Sequence, residues 1–519
     1  MEDASGILAG LPRRLSDIAL KWAAGRPDAP ALFEHSHVWS YRELAEAQAQ
    51  IAALLKAHDV RPGDRVMLVS ENCAAMVGSL LAIASLDAWA VLVNSRLSAR
   101  EIDNIREHSG ARRVVYMTHV SAEAKAHAQR HGATALNLGA MGAVSISPCN
   151  HVCNPEPVSA DPAEQVAALI YTTGTTGNPK GVMLTHRNLL FIAGVSGKLR
   201  GLNPRDRVYG VLPISHVYGL ASVCLSTLLA GACLHLEAHF TARAMAAALA
   251  TGGITVMQGV PAMYAKLLEL LKAHGEAFTA PALRFIYAGG SPLDPALKQA
   301  VETASPLTLN NGYGLTEASP TITQTRHDHP RLDCSVGTPL PGVEIRIVDK
   351  HGADVAAGEP GELWARGPNV MKGYYRNPEA TALVIKPGGW LNTGDIARQD
   401  ADGALFIVGR TKEVIIRSGF NVYPVEVEAV LNSHPQVTQS AVVGREVEGN
   451  EEVIAFVELA PGATVSVREL QEFAAEALTA YKRPAEIIVM PALPAAANGK
   501  ILKHRLKEIA KEKKGAAPP

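Results

Sequence analysis

Short apolar runs rich in β-branched residues recur along the first part of the chain, at Arg65–Ser70, Arg113–Met117, Val208–Leu212, Ile254–Met257 and Arg284–Ala288, with helical patterns between them. Alternation of this kind predicts α/β layers in which helices cover sheets. Val166–Tyr171 reads as another buried strand, and Thr185 to Asn188 offers capping residues for a helix behind it. Leu15 to Trp22 is helix-like, and Met76 to Val93, interrupted by Asp87, reads as a helix running into a strand. Val208 to Leu236 contains no Asp, Glu, Lys or Arg, which raises a membrane span. Pro213, His216, Gly219 and Gly231 break it up, and its pieces parse better as strand, loop, buried helix and strand.

The pattern changes beyond about residue 335, where Val343–Val348 and Gly361–Ala365 alternate at period two among Gly and Pro. That predicts antiparallel structure, a small β-barrel-like part. The last stretch reads as a compact α+β unit. It has strand-like Val414–Arg417, Ala441–Val443 and Val453–Leu459, a helix near Val425–Leu431, and an amphipathic helix from Ser466 to Leu478. A chain of 519 residues is too long for one core. The expected division is a large N-terminal domain of layered α/β subdomains, 1–410, and a small α+β domain, 411–519, joined near Lys412.

Composition narrows the class. With 49 basic and 50 acidic side chains the formal charge is −1, which disfavours nucleic acid as a partner. The basic end after Leu506 reads as a solvated helix end and tail. Glu2 and Asp3 open a chain with no export-like leader, and the 6 cysteines are sparse, so a reducing cytoplasm is the expected location. Cys149 and Cys153 lack the second ligand pair that a zinc site needs.

Candidate chemistry begins at Tyr171-Thr172-Thr173-Gly174-Thr175-Thr176-Gly177-Asn178-Pro179-Lys180. Glycines let backbone approach an anion closely; the hydroxyls, turn N–H groups and Lys180 can then surround polyphosphate oxygens. The spacing is not that of a Walker loop. The segment resembles the phosphate loop of the adenylate-forming superfamily, which includes acyl- and aryl-CoA synthetases, luciferases and the adenylation domains of peptide synthetases. Further blocks match in order: Val211-Leu-Pro-Ile-Ser-His216-Val-Tyr-Gly-Leu220, Asn310-Asn-Gly-Tyr-Gly-Leu-Thr316-Glu317, Leu391-Asn-Thr-Gly-Asp395, Gly409-Arg410-Thr-Lys412 through Gly419 to Pro424, and Asn498-Gly-Lys500-Ile501. The last of these has Asn where Thr is usual.

The resemblance implies an AMP-forming carboxylic acid–CoA ligase using ATP, Mg2+ and coenzyme A. Thr172, Thr173, Gly174, Thr175, Thr176, Gly177 and Lys180 would hold phosphates, Thr316 the α-phosphate, and Glu317 the Mg2+. Gly289, Gly290, Ser291, Asn311, Gly312 and Tyr313 would line the adenine; Asp395 and Arg410 would hold the ribose. Lys412 matches the family's hinge. Lys500 would enter during adenylation, and Ser418, Gly419 and Phe420 would flank the CoA tunnel afterwards.

His216 resembles a gate between the acyl pocket and that tunnel. Tyr218, Ser222, Val260 and Met263 would form part of the pocket wall, with Ala288, Gly289, Gly290, Leu315 and Ser319 completing it. Small residues at 288 to 290 leave room for a ring or a medium chain. Tyr218 and Ser222 are similar to residues facing a ring hydroxyl in 4-coumarate-CoA ligases, whereas Gly419-Phe-Asn-Val-Tyr-Pro424 is as similar to fatty-acyl-CoA synthetases.

Alternatives are a stand-alone adenylation enzyme loading a carrier protein, an oxidative luciferase-like enzyme, and a non-catalytic acyl-nucleotide binder. The presence of Lys500 and Glu317 argues against the last. Pro494-Ala-Ala-Ala-Asn-Gly-Lys500 is similar in its Pro-to-Gly-Lys pattern to loops modified by protein acetyltransferases, making such an enzyme an expected partner acting on Lys500. A homodimer is a further expectation.

Overall fold

The computed structural model describes residues 4–172, 180–418, 420–447, 450–460, 462–495 and 501–513. Strand Arg65–Ser70 lies in the interior of an eight-stranded sheet, with Trp89–Asn94 and Arg113–Tyr116 parallel on either side. Its alternating side chains divide between two cores. Val66 and Leu68 face a central core, and Met67 and Val69 face an outer one. A strand apolar on both faces must be covered on both. Helix Ala74–Ser85, buried from Ala74 to Ala84, supplies central cover, and Ala99–Ser109 and Ala122–Arg130 supply outer cover.

A second sheet of nine strands repeats the arrangement. Val208, Val256, Phe285 and Tyr287 join the same central core, while Tyr209, Met257 and Ile286 meet helices Ala242–Thr251 and Pro261–His274 on the other side. Two sheets therefore share one inner helical layer. The charge-free stretch resolves as strand Arg207–Gly210, a π-helix Tyr218–Leu225, a short α-helix Ser226–Leu229 and strand Cys233–Leu236, all within this layered body. Among the described residues no helix is long and apolar enough to cross a membrane.

Glu344–Val348, Gly361–Arg366, Ile385–Lys386, Trp390–Gln399 and Leu405–Arg410 form an antiparallel sheet of five strands. It branches at Trp390–Gln399, which pairs on one side with Gly361–Arg366 and on the other with both remaining neighbours. In the smaller C-terminal domain, Val437–Val447 and Asn450–Leu459 pair antiparallel, with Glu486–Met490 parallel to the latter. One face packs on helices Pro424–Asn432 and Val467–Ala477, the other on Lys503–Lys513.

Candidate active site

Strands Val166–Thr172 and Lys180–Thr185 form an antiparallel hairpin in which Thr172 stands opposite Lys180. Thr173, Gly174, Thr175, Thr176 and Gly177, five of the proposed phosphate contacts, lie outside the described residues. Thr185 caps helix His186–Leu199 in a reciprocal box with Asn188, as the sequence leads one to expect. Asn188 also donates through Nδ2 to the carbonyls of Pro368 and Val370, at 2.8 and 2.9 Å. It thereby ties a distant segment to the hairpin.

That segment brings in a residue the sequence reading missed. Gly373–Tyr374 is a two-residue strand pairing antiparallel with Lys180–Thr185, Tyr374 opposite Val182. The Tyr374 hydroxyl donates to Glu317 Oε1 at 2.7 Å, and Lys180 Nζ stands 4.9 Å from the centre of its ring. Burial and the neighbouring Glu317 charge raise the phenol's pKa far above its usual value, so it remains a donor. The signal for Tyr374 is a local one, Lys372-Gly-Tyr-Tyr-Arg376 ahead of Asn377-Pro378, and nothing in that spacing points to a carboxylate 57 positions earlier.

Glu317 itself follows strand Leu309–Gly314 in a 3-10 turn, Thr316–Ala318, and its carbonyl accepts from Met371 N at 2.9 Å. Thr316 is buried beside it. The strand's glycines are dictated by close approach: a Cβ on Gly314 would stand 2.0 Å from the Pro320 carbonyl oxygen, and one on Gly312 2.7 Å from that of Thr323. Asn311 is buried, its Nδ2 spent on the carbonyls of Cys334 and Ser335 and its Oδ1 accepting from Gly312 N. Any adenine contact there falls to backbone groups.

Tyr313 donates its hydroxyl to Asp395 Oδ2, while Arg410 Nε lies 3.1 Å from Oδ1. Asp395 and Arg410 face each other directly across the strand pair. Asp395 is buried and Arg410 half-exposed, so the carboxylate is held from within and met from the solvent side. Burial, reinforced by Asp395, pushes the Tyr313 phenol well above its usual pKa.

In the expected acyl region, Tyr218 and Ser222 lie on the buried π-helix, a geometry frequent at functional sites. The Tyr218 hydroxyl is buried without a hydrogen-bond partner, 3.3 Å from where a Cβ on Gly289 would be. Ser222 Oγ lies 3.3 Å from Thr321 Oγ1. Val260, Met263 and Leu315 are partly buried, and Ala288 ends strand Phe285–Ala288. Gly290, at φ +83°, and Ser291 are exposed. His216 is exposed at the edge of this region, and its Nδ1 accepts from Tyr218 N at 3.3 Å. Ser319 is turned away, donating to the Asn369 carbonyl at 2.8 Å. Asn369, also missed in the sequence, donates to the Thr321 carbonyl and holds this turn.

In the C-terminal part, Lys412 lies exposed in the 3-10 turn Thr411–Glu413. Ser418 N donates to Asn450 Oδ1 at 2.7 Å, and the Phe420 ring stacks on Tyr481 at 4.7 Å. These contacts stay within the smaller domain. Gly419 and Lys500 lie outside the described residues, although a bridge between Ala495 and Ile501 brackets the Lys500 segment.

The donor set fits a hard divalent cation shared with phosphate. No group of three or more His, Cys, Asp or Glu that could hold a metal ion occurs among the described residues. A lone carboxylate such as Glu317 suits Mg2+, which takes few protein ligands and leans on phosphate oxygens and water.

Similarity to known proteins extends over most of the chain. Residues 20–375 match the model of the AMP-binding enzyme family, and residues 426–500 that of the AMP-binding enzyme C-terminal domain. The chain is 35% identical to 2-succinylbenzoate–CoA ligase of Geobacillus kaustophilus (strain HTA426), over 93% of this chain and 95% of that one. It is 31% identical to 4-coumarate–CoA ligase 2 of Oryza sativa subsp. japonica, covering 93% and 90%. Among solved structures, o-succinylbenzoate CoA synthetase of Bacillus subtilis, in complex with an acyl-adenylate intermediate, superimposes with a TM-score of 0.81 at 30% identity, covering 94% and 97%. The chain belongs to the AMP-binding enzyme family. Its reaction is AMP-forming acid–thiol ligation, and ATP, Mg2+ and coenzyme A are the reagents of that class.

Proposed function

We propose that this chain activates an aromatic or medium-chain carboxylic acid as its adenylate and transfers the acyl group to coenzyme A. The observation that carries the reading is the pairing of two clusters on one strand and turn. Tyr313, Asp395 and Arg410 form one, and Lys180, Tyr374 and Glu317 the other. A diol-binding carboxylate and a phosphate-binding cation therefore flank a single motif, which suits the two ends of a nucleotide.

In the first step a carboxylate oxygen attacks the α-phosphorus, and pyrophosphate leaves with the electrons of the broken P–O bond. Lys180 and the Thr172–Gly177 hydroxyls hold the leaving phosphates, Thr316 the α-phosphate, and Asp395 with Arg410 the ribose. Lys500 offsets charge between the two approaching anions. Glu317 would hold a Mg2+ ion, which when bound would supply further charge neutralisation at the phosphates.

In the second step a thiolate sulfur attacks the acyl carbon and AMP leaves. Residues 411–519 rotate about Lys412, withdrawing Lys500 and bringing Ser418, Gly419 and Phe420 beside the pantetheine, with His216 as the gate. The adenine rests against Gly289, Gly290, Ser291 and the backbone of Asn311 to Tyr313.

An aromatic acid is favoured by the unpartnered Tyr218 hydroxyl, by the Tyr287 ring 6.4 Å from that of Tyr218, and by relatives named for 4-coumarate and 2-succinylbenzoate. Those relatives are CoA ligases, which sets the carrier-protein alternative aside. The cytoplasm is the proposed location. Acetylation of Lys500 by a protein acetyltransferase and a homodimeric state are the remaining partner proposals. The deciding assay is a panel of aromatic and aliphatic acids scored for AMP, pyrophosphate and acyl-CoA, with coenzyme A present or omitted. AMP and pyrophosphate with an acid alone, and acyl-CoA after coenzyme A is added, are expected. Release of ADP and phosphate overturns the reading.

A further inference from the structure

Lys180 and Glu317 carry opposite charges a short distance apart, yet they are not paired with each other. Between them stands Tyr374, only 7% exposed. Its hydroxyl binds the carboxylate at 2.7 Å and its ring face meets the ammonium at 4.9 Å. The register explains the contact with the lysine. Tyr374 is opposite Val182, which makes Lys180 its diagonal neighbour on the same face of the strand pair, within reach of a long side chain. The ring's own position is fixed by Tyr374 N donating to Thr381 Oγ1 at 2.9 Å, and by flanking backbone bonds from Lys372 N to Met183 O and Tyr375 N to Gly181 O.

We infer that Tyr374 is a positioning residue that holds the phosphate-binding lysine and the metal-binding carboxylate apart, its hydroxyl serving Glu317 and its ring serving Lys180. With an aliphatic side chain in its place, the two charges would be drawn into a direct ion pair, and each would have to be pulled from the other before meeting a nucleotide. A phenol satisfies both charges with groups that can be shared. The hydroxyl still donates to a carboxylate that binds a cation, as outer-shell partners of metal ligands do, and the ring face leaves the ammonium's hydrogens free for phosphate oxygens. The two contacts are separable, because phenylalanine retains one and leucine neither.

This rests on the reading of Glu317 as the Mg2+ ligand, and the test keeps the two apart. ATP binding to the full chain is measured by calorimetry with Mg2+ and with EDTA, alongside the melting midpoint of each variant. Tyr374→Phe is expected to weaken ATP binding with Mg2+ by about tenfold or more, in the range found for outer-shell partners, and to leave binding in EDTA nearly unchanged. Tyr374→Leu is expected to weaken binding in EDTA as well, by about threefold, a loss that disappears when Lys180→Met is already present. Equal losses with and without Mg2+ in Tyr374→Phe, or no loss in either, overturn the inference. If Glu317→Gln leaves the Mg2+ dependence intact, the metal reading of Glu317 fails. If Glu317→Gln abolishes that dependence while Tyr374→Phe preserves it, only the role of Tyr374 fails.

Discussion

Tyr313, expected from its motif to line an adenine, has a bond that the motif does not announce. Its block was legible because glycines forced by contacts with Pro320 and Thr323 lie in the same strand, and such constraints leave a recognisable spacing. The bond from its hydroxyl to Asp395 spans 82 positions and leaves no local trace. Tyr313→Phe removes that bond and is expected to raise the KM for ATP about tenfold, the scale of a hydrogen bond to a charged group, with a smaller change in kcat. Steady-state kinetics at varied ATP checks it.

His186 offers a second test at this scale. Its Nδ1 accepts from Leu15 N at 3.2 Å, its Nε2 is buried without a partner, and burial pushes its pKa down to about 4. The unfolded chain, with an ordinary histidine near 6.5, binds the proton first as pH falls. Stability is therefore full above about pH 6.5 and declines toward about pH 4, by about 3 kcal/mol in all. Urea unfolding across that window should show a shallower decline in His186→Gln.

Elements were easiest to read where a physical rule left a periodic mark. Arg65–Ser70 and Trp89–Asn94 have two covered faces and read as continuous apolar runs; Gly361–Arg366 alternates because only one face is buried. Helix His186–Leu199 begins where its capping residues stand. Thr185→Ala should lower stability by about 1 kcal/mol, measured by denaturant unfolding, because a helix N–H loses its acceptor. Other elements were illegible for equally physical reasons. Gly373–Tyr374 is too short for any periodicity and exists because Lys180–Thr185 presents an edge to it. Ile254–Met257 looked like a strand two residues early: Ile254 is buried, but ladder pairing runs from Val256 to Gly259 before Pro261 opens a helix. The π-helix at Tyr218–Leu225 is an apolar run indistinguishable by composition from an α-helix.

At the scale of the molecule, the shift from layered α/β to antiparallel and then α+β character could be read directly, because each layer type imposes its own pattern. How the parts cooperate in turnover could be approached only through motif order. If the smaller domain alternates about Lys412, Lys412→Pro should depress thioester formation from supplied acyl-AMP more than adenylation, since proline fixes φ. Lys500→Ala should do the reverse, slowing adenylation about a hundredfold. Half-reaction assays on both variants decide, and matching losses in the two steps would contradict alternation.

Asn188 fastens the turn of a helix formed early in the chain to carbonyls 180 and 182 positions further on. During synthesis, the hairpin and its helix leave the ribosome long before their strand partner does. Until roughly the first 375 residues are out, the Lys180 edge has no partner strand and Glu317 no phenol beside it. Nascent chains cut short before that point should then fail to retain nucleotide however well their sheets have formed, so the ability to bind ATP would appear abruptly with length during translation.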